Sequence, residues 1–227
     1  MVKNQLIAAV TAGIMLTSTA VNIINSQLQV DYVYAISSSA KKVEDKLNTI
    51  LSSIRSKGLL DANIVSIKKM VTDAASLNAK LSEGATKKKY ADTISKIEAL
   101  ILAAQGVNAL ETSYAKNSKT IGNAEVWENQ ILGVKGRIVK ADKNLFAKEY
   151  KALVERVVKV SQGVNTIKRN YAASILKVES LVKEGEALIS KDQKVALEKL
   201  RLAKDAAIKL QKHQSKMTLI KRINKSI

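Results

Sequence analysis

The feature that most constrains this 227-residue chain is that it contains no proline. Proline breaks helix interiors and marks many turns, so a long chain without it is typical of helices joined by short links. Only nine glycines are present, and aromatic residues make up 4% of the sequence. Because strands favour aromatic side chains, aromatic-rich β architectures are not expected.

Apolar residues recur at steps of three and four along most of the chain, which is the period of an amphipathic helix. The pattern predicts an all-α fold, an elongated antiparallel helical bundle of about five to seven helices. The predicted helices cover 39–57, a stretch from Asp61 to Gly84, one beginning near Ala85, one around 127–138, a long one over 146–182 that ends at Gly185, and a last one from about Lys191. Loops are predicted at 117–123 and 142–144.

Two segments of the sequence resemble each other, residues 97–115 and 154–172. Seven of nineteen positions are identical, including a shared Gln-Gly-Val-Asn, so the pair suggests a duplicated helical unit. The alternative is that two helices of similar composition look alike. Gly106 interrupts the apolar seam of the first segment. At both Gly106 and Gly163, either a continuous helix or a tight turn between helices is possible.

The N-terminus has the anatomy of a secretory signal peptide. Lys3 precedes an apolar stretch over 6–21, and Val33-Tyr34-Ala35 offers a cleavage site, so we predict a signal peptide over 1–35 and a basic helical bundle over 36–227. Cleavage after Ala20 and an uncleaved membrane anchor are alternatives, although sixteen apolar residues are short for a spanning helix. The protein is therefore expected to be secreted and associated with the cell wall.

The sequence lacks the residues that most catalytic and metal sites need. It has no cysteine and one histidine, so thiol catalysis, cysteine-ligated zinc and iron–sulfur clusters are excluded. His213 stands among basic residues and is expected to be an exposed surface residue. Carboxylate pairs such as Glu184 and Glu186 are expected on solvated surface, and Trp127 in the core. We predict no enzyme activity, no catalytic residue, no metal and no cofactor.

The net charge of +18 is the most distinctive surface property of the chain. Lysine greatly outnumbers arginine, which favours diffuse attraction to a polyanion over bidentate recognition. A surface kept basic for solubility is the alternative. Clusters occur at 87–89, at 135–143 and over 199–227. The candidate polyanion-binding residues are Lys87, Lys88, Lys89, Lys209, Lys212, Lys216, Lys221, Arg222 and Lys225.

The helical pattern resembles a known family. Lys/Ala/Leu-rich helices with tyrosines on their seams, and the segments 183–189 (KEGEALI) and 194–197 (KVAL), are similar to the helical modules of Gram-positive surface-layer proteins of the SbsC type. The resemblance covers about residues 40–215 and rests on composition and pattern. It implies basic helical bundles that bind an anionic secondary cell-wall polymer. The β-sandwich domains of a complete surface-layer protein are missing, so lattice assembly is not implied.

These observations predict a non-catalytic envelope protein that associates electrostatically with an anionic cell-wall polysaccharide or teichoic-type polymer. An anionic membrane surface is a further candidate partner, reached by the apolar and basic C-terminal end, residues 217–227. Nucleic acid is not expected as a partner, because the predicted signal peptide would place the protein outside the cell. The alternative functions are a helical component similar to a pore-forming toxin, and a secreted protein-binding or inhibitor module.

Overall fold

The computed structural model describes the backbone of residues 19–227 and the side chains of residues 38–227. Over this range the fold is all-α, as predicted, with seven helices and no strand. The helices are α1 (Thr19–Lys57), α2 (Asp61–Ala79), α3 (Ala85–Lys116), α4 (Ile121–Ile138), α5 (Ala147–Leu188), α6 (Gln193–Lys209) and α7 (Gln214–Ser226). Gly58 ends α1 with a φ of +70°, a left-handed conformation that glycine adopts without strain.

Several predicted boundaries need correction. α1 begins well before residue 39, and α5 continues past Gly185 to Leu188. Both α3 and α5 run without interruption through Gly106 and Gly163, so the continuous-helix alternative is correct at both glycines. A single glycine costs a helix only about 1 kcal/mol relative to alanine, which packing can offset.

The predicted last helix is in fact two helices. The backbone turns extended at Leu210, with ψ of 151°, and α7 begins after His213. Neither glycine nor proline stands in this turn, so the sequence carries no strong breaker there. The loop predicted around 117–123 is confirmed in part, since α3 ends at Lys116 and α4 begins at Ile121 after an N-cap at Thr120.

The chain divides into two compact units. The first contains α1 up to Gly58 together with residues 62–98, and the second contains residues 59–61 and 99–227. In the first unit, the predicted apolar stripes are buried: Val43, Ile50 and Ile54 of α1, Ile67 and Val71 of α2, and Ile94 of α3.

The second unit is built along the length of α5, which packs against α4, α6 and α7. Towards its C-terminal end, α5 shares a core with the last two helices, made of Val178, Val182, Leu200, Ala203, Ala207, Leu219 and Ile223. Trp127 of α4 is 1% exposed and its Nε1 donates a hydrogen bond to Ser113 Oγ at 3.0 Å, which confirms its predicted place in the core.

The predicted signal peptide lies partly outside the described residues, since nothing is described before Thr19. Its cleavage after Ala35 stays a prediction. Among the described residues, no helix combines the length and the apolar character that crossing a bilayer requires.

Candidate functional site

The nine predicted polyanion-binding residues fall into two groups. Lys87, Lys88 and Lys89 are the third to fifth residues of α3, in the first unit. The other six lie in the second unit, at the end of α6, in the turn that follows and on α7. The two groups are therefore two separate candidate surfaces, and each is considered by itself.

Lys87 and Lys216 have structural roles that the sequence pattern does not indicate. Lys87 Nζ donates to the carbonyl oxygens of Ala79 and Leu81, at 3.2 and 3.1 Å, and thereby caps the C-terminal end of α2. Lys216 Nζ donates in the same way to the carbonyl oxygens of Ile208 and of Leu210, the latter at 2.8 Å. The last carbonyls of a helix have no partner within it, so a cation that reaches them is stabilising.

Arg222 is also engaged within the protein. Its guanidinium binds both carboxylate oxygens of Glu186 on α5, and Ser226 Oγ donates to the same carboxylate at 3.0 Å. The hydrogen bond from Arg222, aided by that from Ser226, holds the pKa of Glu186 below its ordinary value, although partial burial acts against it. This pair fastens α7 to α5 and leaves Arg222 less available for a ligand.

The other six predicted residues are available to a ligand. Their side chains are exposed, and none makes a hydrogen bond or ion pair within the described part of the chain. They are Lys88, Lys89, Lys209, Lys212, Lys221 and Lys225. Four of them fall within residues 206–227, a segment that holds six basic residues and no acidic residue.

His213 is partly buried rather than exposed as predicted, since only 22% of its side chain is accessible to solvent. Its Nδ1 accepts a hydrogen bond from the backbone N–H of Ser215 at 3.3 Å, so it is the N-cap of α7. Its Nε2 lies 2.9 Å from Glu125 Oε1 on α4, and its ring packs edge-on against Tyr171. Burial raises the pKa of Tyr171. The histidine therefore holds the start of the basic α7 in place.

Several carboxylates within residues 38–227 are paired with basic side chains. Glu184 is paired with Lys199, whose hydrogen bond lowers the pKa of Glu184, and Glu128 is paired with Lys168 at 2.7 Å. Within residues 38–227, no group of three potential ligands could hold a metal ion. These acids instead neutralise neighbouring lysines, which shows that part of the positive charge is used inside the fold.

A shallow groove of about 240 Å³ lies between α3 and α4, lined mostly by small or apolar residues and by Gln130 and Arg137. It belongs to the region of the third basic cluster, whose members Lys135, Arg137, Lys140 and Lys143 are all exposed. Typical sites for small molecules are enclosed and hold roughly 300–1,000 Å³. The groove is therefore a weaker candidate than the lysines of the α6–α7 region.

Comparisons with known proteins add no further assignment. No family model, curated protein or solved structure gives a significant match to this chain. The resemblance to helical modules of surface-layer proteins therefore stays a prediction.

Proposed function

We propose that this protein is a non-catalytic polyanion-binding protein of the cell envelope, which associates with an anionic cell-wall polymer through exposed lysines. The observation that carries the proposal is the set of six lysines that lie exposed without a hydrogen bond or salt bridge in the described chain. Other lysines of the same fold are paired with acids, such as Lys46 with Asp73 at 3.1 Å. Pairing with acids therefore uses only part of the positive charge and leaves these lysines unneutralised.

Exposed lysines without acidic partners repel one another and attract a polyanion. Clustered like charges repel one another and oppose the compact state, and a polyanion relieves that repulsion. Lysine is a mobile point charge on a flexible stem, which suits a polymer with no single fixed conformation. The attraction between exposed charges is screened by salt, with a Debye length of about 10 Å at 0.1 M and about 3 Å at 1 M.

The choice of partner rests on the predicted signal peptide. Outside a cell, the abundant polyanions that such a surface would meet are teichoic-type polymers and acidic wall polysaccharides. The apolar side of the C-terminal segment packs in the core through Leu219 and Ile223, which are 5% and 0% exposed. Since this side is occupied within the fold, we rank an anionic membrane surface below a wall polymer.

The test is sedimentation of the protein, recovered after expression of the full chain, with isolated Gram-positive cell walls. We expect pelleting at low salt, loss of pelleting near 1 M salt because of screening, and loss with walls stripped of anionic polymer. A neutral polysaccharide matrix serves as the control. Sequencing the N-terminus of the recovered protein would test cleavage after Ala35 in the same experiment.

Two results would contradict the proposal. If the protein does not pellet with intact walls at low salt, its charge does not serve wall binding. If pelleting persists at high salt and with stripped walls, the interaction is not electrostatic, and an apolar or protein partner should be sought.

A further inference from the structure

We infer that polymer binding is concentrated on one of two helical hairpins. The two hairpins share the same frame, meaning the same pattern of buried positions and the same contact at the turn, but they differ in charge. The first hairpin is residues 62–98, the second is residues 191–227, and each position of one corresponds to the position 129 residues away in the other. The inference rests on the proposed function and names the binding surface within it: the turn and second helix of the second hairpin, contacting a linear anionic polymer.

The two hairpins match in their buried positions. Six residue pairs at this spacing are buried in both: Ile67/Ala196, Val71/Leu200, Ala74/Ala203, Asn78/Ala207, Tyr90/Leu219 and Ile94/Ile223. The sequences hide this match, because only six aligned positions carry the same residue. The agreement is therefore one of packing pattern.

The hairpins also match in the contact that closes their turns. Lys87 and Lys216 are each the third residue of a helix, and each Nζ donates to two carbonyl oxygens of the preceding helix end and turn. The acceptors correspond as well, since Ala79 and Leu81 are equivalent to Ile208 and Leu210. The frame, including its lysine cap, is thus the same in both hairpins.

The charges on this common frame differ. Residues 77–98 of the first hairpin hold five lysines and three acids, whereas residues 206–227 of the second hold six basic residues and no acid. Glu83, which pairs with Lys87 at 2.8 Å, is replaced by Lys212. Asp92, which pairs with Lys96 at 2.8 Å, is replaced by Lys221. The first hairpin pairs two of its lysines with its own acids, whereas residues 206–227 contain no acid that could pair with their basic residues.

Four exposed lysines of the second hairpin lie in its turn region and on one side of α7. Lys221 and Lys225 are one helical turn apart on α7, about 6 Å along its axis, on the side away from the buried Leu219 and Ile223. Lys212 and Lys209 are exposed in and before the turn that leads into this helix. A row of mobile cations without intervening acids suits a linear polyanion better than a compact anion.

The test compares two double variants with the same loss of charge. Lys212→Gln/Lys221→Gln alters the second hairpin, and Lys88→Gln/Lys89→Gln alters exposed lysines of the first. Binding to lipid-free teichoic acid is measured for each as a function of salt. We expect the first variant to bind about tenfold more weakly or worse and to lower the slope of log affinity against log salt by about 2, one unit per lysine. The second variant should change affinity less than about twofold.

A gain-of-charge variant provides the converse. Glu83→Lys/Asp92→Lys places in the first hairpin the residues that the second has, and it should raise affinity and the salt slope. Circular dichroism and thermal unfolding would confirm that all variants remain folded. Vesicles of anionic lipid, used in parallel, test the competing partner, and preferential binding to them would overturn the assignment to a polymer.

The outcomes separate this inference from the proposed function. If the wild-type protein does not bind the polymer, both fail. If it binds, but the two double variants lose affinity equally, the charge acts diffusely and only the localisation to the second hairpin is wrong.

Discussion

The two hairpins are alike in their buried positions and in the lysine at their turns, but they differ in the charge of their exposed positions. Both have small or apolar residues at five of the six matched buried positions, and both have a lysine that caps the preceding helix end. Their exposed positions are free to carry either sign of charge, as Glu83 and Lys212 show. Folding and surface charge are therefore largely separable here, because exposed ion pairs contribute little to stability while buried apolar groups contribute most of it.

The largest expected effect is on stability, and it tests whether matching buried positions of the two hairpins contribute equally to the core. Ile94→Ala and Ile223→Ala each remove a buried side chain, 6% and 0% exposed, at matching positions. Each should lower the free energy of unfolding by about 2–5 kcal/mol, measured by urea unfolding. A cost below about 1 kcal/mol at either position would contradict the shared packing.

The sequence predicts the apolar stripes well because they depend on local spacing. Ile94, Ile97 and Ile101 follow one another at steps of three and four, and all three are buried. The break between α6 and α7 was missed because it depends on the Lys216 amine, on His213 as an N-cap and on the contact of His213 with Glu125, which lies 88 residues away. Such contacts leave no periodic signal.

The candidate site could be predicted only in part. Counting basic residues finds the lysines but does not show which are engaged inside the fold. Lys87, Lys216 and Arg222 were predicted as ligand-binding residues, and the structure shows each bound to other parts of the protein. The relation between the hairpins was also missed, since burial rather than identity carries it.

A smaller effect concerns how closely the helices of the second hairpin approach α5. A Cβ at Gly185 would lie 2.8 Å from Leu200 Cγ and 3.3 Å from the Ala196 carbonyl oxygen. Gly185→Ala should therefore lower the unfolding free energy by about 1–2 kcal/mol, since overpacking outweighs the helix propensity that alanine gains. Gly136→Ala is the matched control, because nothing lies within 4 Å of its Cβ position. Equal stabilisation of both variants in urea unfolding would show that α6 packs less tightly.

The lysine caps should have matching effects of about 1 kcal/mol. Lys87→Met and Lys216→Met retain most of the aliphatic stem but leave two carbonyl oxygens without their cation. We expect similar decreases in melting temperature for both variants, with Lys88→Met as the control for loss of charge alone. A decrease in only one hairpin would show that the caps are not equivalent in solution.

The buried polar difference between the hairpins should matter less. Asn78 donates through Nδ2 to the Lys87 carbonyl oxygen at 3.2 Å, but its buried Oδ1 has no partner. The second hairpin has Ala207 at this position. Asn78→Ala removes one hydrogen bond and one unsatisfied acceptor together, so these contributions oppose each other and the change should stay within about 1 kcal/mol. A larger loss in urea unfolding would mean that the Asn78 side chain is needed to hold the α2–α3 turn.

The smallest effect is the pH dependence of the ion pair that fastens α7. The hydrogen bond from Arg222 lowers the pKa of Glu186 in the folded protein, relative to about 4.3 in an unfolded chain. Its stabilisation is therefore present above that unfolded value and is lost as the pH falls through the folded pKa. Because the Arg222 side chain is 43% exposed, screening by solvent keeps this contribution small. The melting temperature of wild type should exceed that of Glu186→Gln near pH 6, and the difference should shrink towards pH 3.

Glu83→Gln provides the comparison in the first hairpin, where the pKa of Glu83 is lowered by Lys87 and its carboxylate is far more exposed. A pH-independent difference for Glu186→Gln would mean that the ionised pair does not hold α7 against α5.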